Sequence, residues 1–403
     1  MHAFHTSMKY LGGLSLKDWG QVCLQIQKEN TMLEIKEVKT RKEVKEFVNF
    51  PLRLYKGNPY FVPPLYADEM ALFKKETVYD DQAESVFYIA KRNGQTVGRI
   101  HGILQLASNK KWNQKRVRFT RFDCIDDQEV ANALFEKVEN WAREKGMDTV
   151  VGPLGFSDLD REGLLIEGFD QLATFEEQYN YPYYQRLIEN LGYEKEVDWE
   201  ERKLYAPKEP DERLLRVSKK MMEKYGLRFG EAKNTREFLK KYADKFFDIL
   251  DETYVDIYQT VPFTDKMKKS LISSFKLIVN VKNVSVILDK DDNVVCFGLC
   301  FPSIAKAVQK SGGRLTPLTL AKCLYAIKNP KVIDLALIGV LPEYKRKGIA
   351  SVFIGRLMEM LSSGDIEYAE TNLNLETNHA ILNQWKSFDC VQHKRRRSYT
   401  KSL

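Results

Sequence analysis

The sequence has no apolar run approaching the roughly 18 residues that a membrane crossing requires. Its longest candidate, residues 332–341, carries Asp334 and reads as a buried strand. The first twenty residues lack a basic start, a continuous apolar stretch and a small-residue cleavage site. No signal peptide is therefore expected, and the protein is expected in the cytoplasm with no membrane partner. Cysteine is sparse, with six in 403 residues and no CxxC pair. Cys296 and Cys300 share one strand-like segment, where four residues span roughly 13 Å, beyond disulfide reach. Reduced, buried thiols are expected. The five histidines (2, 5, 101, 379 and 393) show no metal-ligand spacing, so no metal is expected.

Net charge is also small over the chain outside its tail. The net charge is +7, yet the last 13 residues hold five basic groups and no acid, leaving +2 for the other 390. Basicity this local is weak ground for a nucleic-acid partner. Residues 394–401 alternate and read as a final edge strand with solvated arginines.

Apolar residues, by contrast, are plentiful. Hydrophobic residues make up 43% of the chain and aromatics 12%, enough to fill two or three domains of roughly 150 residues. Residues 1–31 read as a poorly ordered extension. Thr40 followed by Glu43 opens a helix as a capping box. Strand patterns flank Asn93-Gly94, a hairpin signal. Another strand runs near 116–124, a helix over 127–145, short strands at 149–152 and 196–205, and a helix from Pro182. Ala206–Pro210 reads as a boundary. Beyond it, helices near 211–225, 235–252 and 264–275 precede a hairpin over 283–302, a strand at 332–341, a helix at 348–362, a strand at 366–373 and a helix at 377–387. The two halves, 32–205 and 206–403, thus read as one plan written twice, an α/β (α+β) fold of mixed sheets flanked by helices.

The sharpest local signal lies at 338–351. A buried strand ends in a tight turn, and the turn opens an amphipathic helix whose first residues include Gly348 and Ala350. The first amides of a helix lack internal partners and the dipole adds positive charge there. Small residues leave that backbone uncovered for a pyrophosphate. Lys345, Arg346 and Lys347 stand beside it. Neither common nucleotide loop is present.

This segment resembles motif A of the GNAT superfamily of acyl-CoA-dependent N-acyltransferases, V-x-P-x-x-[QR]-x-x-G-x-[GA]. Val340, Pro342, Lys345, Gly348 and Ala350 occupy its positions, Lys345 replacing the usual Gln or Arg. Residues 370–385 resemble the next strand and the motif B helix, with Asn378 at its start. The resemblance implies acetyl-CoA or CoA as co-substrate and a small amine or peptide as acceptor. It also implies a cofactor-binding set of Ile338, Gly339, Val340, Lys345, Arg346, Lys347, Gly348, Ile349, Ala350, Ser351 and Asn378, with the strand before the motif splayed so that 336–340 meet the pantetheine arm. The family's acid tyrosine, seven residues past the Asn, is Trp385 here. Tyr344 and Tyr399 are the substitutes considered; Glu376, Glu370 and Asp334 are the candidate bases.

The first half resembles the same fold with a degenerate loop, since Asp126, Asp127 and Glu129 would repel a pyrophosphate. Its dense segment 152–170, followed by the tyrosines of 179–184, resembles a little-characterised bacterial tandem group and reads either as a polar wall for an amine or as an ordered surface loop. An aminoacyl-tRNA-dependent transferase of tandem GNAT-like form and a non-catalytic ligand-binding protein remain the alternatives.

Overall fold

The computed structural model describes residues 32–209, 211–278, 281–345 and 347–403. The extension 1–31 and Arg346 lie outside the described residues.

The first half supplies strands β1 (Glu34–Glu37), β2 (Ala83–Arg92), β3 (Gln95–Gln105), β4 (Arg116–Cys124), β5 (Thr149–Gly152), β6 (Leu164–Glu167) and β7 (Glu194–Tyr205). The second supplies β8 (Arg228–Phe229), β9 (Val284–Leu288), β10 (Val294–Pro302), β11 (Val332–Val340), β12 (Tyr368–Thr371), β13 (Asn374–Leu375) and β14 (Asp389–Ser402). Helices important below are α1 (Arg41–Leu54), α2 (Gln128–Glu144), α3 (Thr235–Thr253), α4 (Pro317–Lys328), α5 (Ala350–Ser362) and α6 (His379–Gln384).

Local signals do what the residues predict. Thr40 and Glu43 complete a reciprocal capping box on α1. Asn93 and Gly94 both take positive φ, 54° and 73°, as a two-residue hairpin turn demands. The same arrangement then occurs twice: β1 to β4 pair antiparallel and β4–β5 parallel, while β8 to β11 pair antiparallel and β11–β12 parallel.

The halves do not close separately. β7, the last strand of the first half, pairs with β12 of the second, Ala369 opposite Leu204. β14, the last strand of the second half, pairs with β5 of the first, Tyr399 opposite Gly152. β7 and β14 pair with each other from Asp389↔Tyr205 to Thr400↔Glu194. Each half therefore completes the other, and one sheet of fourteen strands results.

The tail is accordingly not an edge strand with solvated arginines. β14 lies between β5 and β7, and Lys394 and Arg396 are 1% and 0% exposed. Its basic residues meet the acids that β7 presents at the same level. Arg396 Nε donates to Glu201 at 2.5 Å, Arg397 Nε to Asp198 at 2.8 Å, and Lys394 Nζ pairs with both Glu201 and Glu370. Burying cations requires such partners.

Apolar cores flank the sheet. Phe119, Phe135, Tyr184 and Tyr193 anchor the first half, and Phe246, Phe247 and Phe297 pack α3 onto β10 in the second.

Candidate active site

β11 and β12 pair only from Val332↔Tyr368 to Leu335↔Thr371. Beyond Leu335 the two strands part, although the Asn372 amide still donates to Leu335 O at 3.1 Å. β11 continues against β10 alone, to Val340↔Cys296. A cavity of about 670 Å³ opens at this gap. The free edge of β11 (Leu335–Ile338 and Val340) lines it, with Phe353, Ile354 and Leu357 of α5 on one side and the 371–375 segment, Asn378 and Trp385 on the other.

The turn between β11 and α5 has the features its sequence calls for. Gly348 takes φ +72°, and nothing lies within 4 Å of the position a Cβ would occupy. A side chain there would be strained by the backbone and would stand in open space. No side chain caps α5. Among the described residues, the amides of Gly348 and Ile349 have no acceptor, while Ser351 N and Val352 N donate to Gly348 O and Ile349 O. Lys345 and Ala350 line the cavity. Lys347 Nζ sits 4.2 Å from the Tyr344 ring centre, and Ser351 Oγ donates to Gly348 O at 2.6 Å. The Ile349 side chain is buried in the core behind the turn. Gly339 is a packing requirement, since a Cβ there would lie 2.3 Å from the Phe297 ring. Asn378 caps α6 by accepting from Ile381 N at 3.3 Å.

The equivalent corner of the first half is already filled. Asp127 Oδ1 accepts from the Glu129 and Val130 amides at the start of α2, and Arg92 pairs with Asp127 and Glu129.

The first half instead supplies an acidic wall. Asp158, Asp160 and Glu162, from the segment between β5 and β6, line the cavity with Glu176 and Glu177. Of the two readings open for 152–170, the structure shows the cavity wall. One oxygen each of Asp158, Glu162 and Glu177 is buried without a hydrogen-bond partner among the described residues. Burial pushes Asp158 and Glu176 up to about 6 and Glu177 up to about 8, against the pull of nearby arginines. Glu162 is raised by burial and by the neighbouring Asp158 charge. Crowded, desolvated carboxylates of this kind favour a cation between them or a shared proton.

The sequence-derived acid–base candidates lie elsewhere. Glu370 is 5% exposed and is not on the cavity lining. It accepts from His393 at 2.8 Å and Lys394 at 2.5 Å. Against burial, Lys394 and His393 hold it down at about 2. Glu376 accepts from Lys195 at 2.9 Å and from the Asp198 amide at 3.2 Å. Asp334 is pushed up by burial and by Glu370 and is also off the lining. Tyr344 packs behind the turn, and Tyr399 OH donates to Glu189. Trp385 Nε1 donates to Asn374 Oδ1 at 2.7 Å on the cavity wall. The ligand-type groups Glu201, Glu370 and His393 lie together, but Lys394 and Arg396 already bridge them.

A tyrosine that sequence reasoning overlooked does face the gap. Tyr254, just past α3, lines the cavity, and its hydroxyl donates to Ile338 O at 3.2 Å. Nothing in its local sequence marks it, because Tyr254 is 84 residues upstream of the Ile338 it reaches.

No family model matches the chain. Protein YghO of Escherichia coli (strain K12) is 26% identical over 373 residues, 90% of this chain and 94% of that protein. The bacterial ceramide synthase of Caulobacter vibrioides is 27% identical over 386 residues, 93% and 98%. Among solved structures, a tandem GNAT protein from the clavulanic acid biosynthesis pathway superposes with a TM-score of 0.55 at 11% identity, covering 92% of this chain and 98% of that one. A GCN5-related glucosamine N-acetyltransferase region within a fungal multi-domain β-N-acetylglucosaminidase gives 0.56 at 11%, covering 92% and 38%. Element order, the splayed β11 and these superpositions agree: the chain has the GNAT fold in tandem arrangement.

Proposed function

We propose that the protein is an acyl-CoA-dependent N-acyltransferase whose second half holds the donor and whose first half receives the amine. The observation that carries this reading is a single cavity joining three features: a free strand edge, an uncapped helix start with an open glycine turn, and an acidic wall. The amides of Gly348 and Ile349, with Ala350, Ser351 and Lys345, suit a pyrophosphate. Arg346 and Lys347 add cations in sequence, and Ile338, Gly339, Val340 and Asn378 border the path of the pantetheine arm.

An amine enters water-borne as an ammonium, which the wall attracts. A carboxylate of the wall that is ionised near neutral pH, Asp158 or Glu176, then takes its proton; a base raised to about 6 is suited to that transfer. The nitrogen attacks the thioester carbonyl and an N–C bond forms; the nitrogen then gives up its second proton to water, the C–S bond breaks, and the leaving thiolate takes a proton. Tyr254, beside Ile338 O, is the group we assign to supply that proton in place of Tyr344 or Tyr399.

The donor and acceptor need not be small. The walls at Leu335, Leu337, Phe353, Leu357, Leu375 and Trp385 are apolar, which favours an alkyl chain, and a relative bears the name ceramide synthase. The aminoacyl-tRNA alternative draws no support from the tail, whose cations are buried or half-buried and each paired with an acid.

Calorimetric titration with acetyl-CoA and with palmitoyl-CoA, on the wild type and Gly348→Trp, tests the proposal. Binding at one site per chain, weakened at least about tenfold in the variant with its thermal unfolding intact, is the expected result. Equal binding by the variant would sink it, and preference for the longer donor would select the alkyl-chain form.

A further inference from the structure

α4 takes no part in the cavity described above. Its inner face is ordinary: Thr319, Cys323 and Ile327 recur at four-residue spacing, and Cys323 and Ile327 pack with Ile304 and Val308. Its outer face is not. Leu318 is 66% exposed and Tyr325 71%, and seven residues place them on the same side of a helix. Leu324 and, just before the helix, Leu315 are exposed as well. Four of the nine large apolar side chains exposed among the described residues thus stand within eleven residues. Scattered exposed apolar residues need no explanation, but a cluster does.

Charge singles out the same region. Between Asp292 and Asp334 the sequence contains no Asp or Glu and six cations: Lys306, Lys310, Arg314, Lys322, Lys328 and Lys331. All six are exposed, and none forms an ion pair among the described residues. On α4, Lys322 and Lys328 fall on opposite sides of the Leu318–Tyr325 line, at 100° per residue.

We propose that α4 is an interfacial helix that docks the protein on an anionic lipid bilayer. Exposed leucines and a tyrosine entering the headgroup boundary, flanked by lysines that meet lipid phosphates, is the arrangement such binding requires. A nucleic acid would not call for the leucines. A second copy meeting this face symmetrically would set six cations against six. The helix does not cross the bilayer, and no described helix is long and apolar enough to do so. The site of docking adjoins the acidic end of the cavity. Phe175 packs in the cluster beneath α4, and its neighbour Glu176 lines the cavity, as does Phe301 at the end of β10.

The test is co-sedimentation of the full chain with vesicles of phosphatidylcholine alone and of phosphatidylcholine with phosphatidylglycerol. Two variants accompany it, Leu318→Ser/Tyr325→Ser and Lys322→Glu/Lys328→Glu, with thermal unfolding and gel filtration of each. Expected is binding to the mixed vesicles, weakened by salt, lost on pure phosphatidylcholine, and weakened about fivefold or more for each cation reversed, with unfolding unchanged because these side chains are exposed. The apolar variant is expected to bind at least about tenfold more weakly. Absence of wild-type binding, or variants that bind as the wild type does, overturns the proposal. A concentration-dependent dimer that dissociates in the apolar variant, without vesicle binding, also overturns it and assigns the face to a second copy.

Discussion

At the scale of single residues, two glutamates illustrate opposite uses of burial. Glu370 is buried with its cations. Its pKa is held at about 2, below its ordinary 4.5, so its contribution to stability is present above about 4.5 and is lost as pH falls toward 2. Glu370→Gln would leave Lys394 buried with half its partners, which typically costs about 3 kcal/mol or more. Urea unfolding at pH 7 is expected to show that loss, and the gap from the wild type is expected to narrow below about pH 4. Glu177 is buried against its interest. Desolvation lifts it from 4.5 to about 8, so the fold favours its protonated form, and stability is highest below pH 4.5 and declines as pH rises to about 8. Glu177→Gln stays neutral throughout. It is expected to match the wild type near pH 5 and to exceed it at pH 8.5 in the same unfolding measurement. Perturbed carboxylates that line cavities cluster at functional positions.

Elements show which signals were legible. The turn at 342–349 was readable because its chemistry is local: a strand end, a glycine that must take positive φ and a helix start fall within a dozen residues. Most helices and strands followed their periodicity. α4 escaped notice because it is apolar on both faces, so no single-sided pattern marks it. β14 was recognised as a strand but misplaced in the sheet. Alternation reveals a strand; it does not say which strands lie alongside. Because β5 and β7 both pair with it, removal of residues 389–403 would expose two strand edges and strip the buried Glu201 of Lys394 and Arg396. A chain ending at 388 is expected to lose cooperative thermal unfolding by circular dichroism, not merely a surface charge.

At the scale of the whole molecule, the two halves form one body because each finishes the other's sheet. The exchange also builds the cavity: the acidic segment of the first half and the glycine turn of the second both reach it. The sequence by itself determined the repeated α/β plan, the glycine turn and the degenerate first loop, since periodicity, caps and turn residues act over a few positions. Only the tertiary structure decided where the tail's cations go, which carboxylates face the cavity and that Tyr254 meets Ile338. Those pairings join residues as far apart as Glu139 and Lys401, 262 positions along the chain. A charge carries no record of its partner; desolvation supplies one only when strand pairing brings the two together in a place without water.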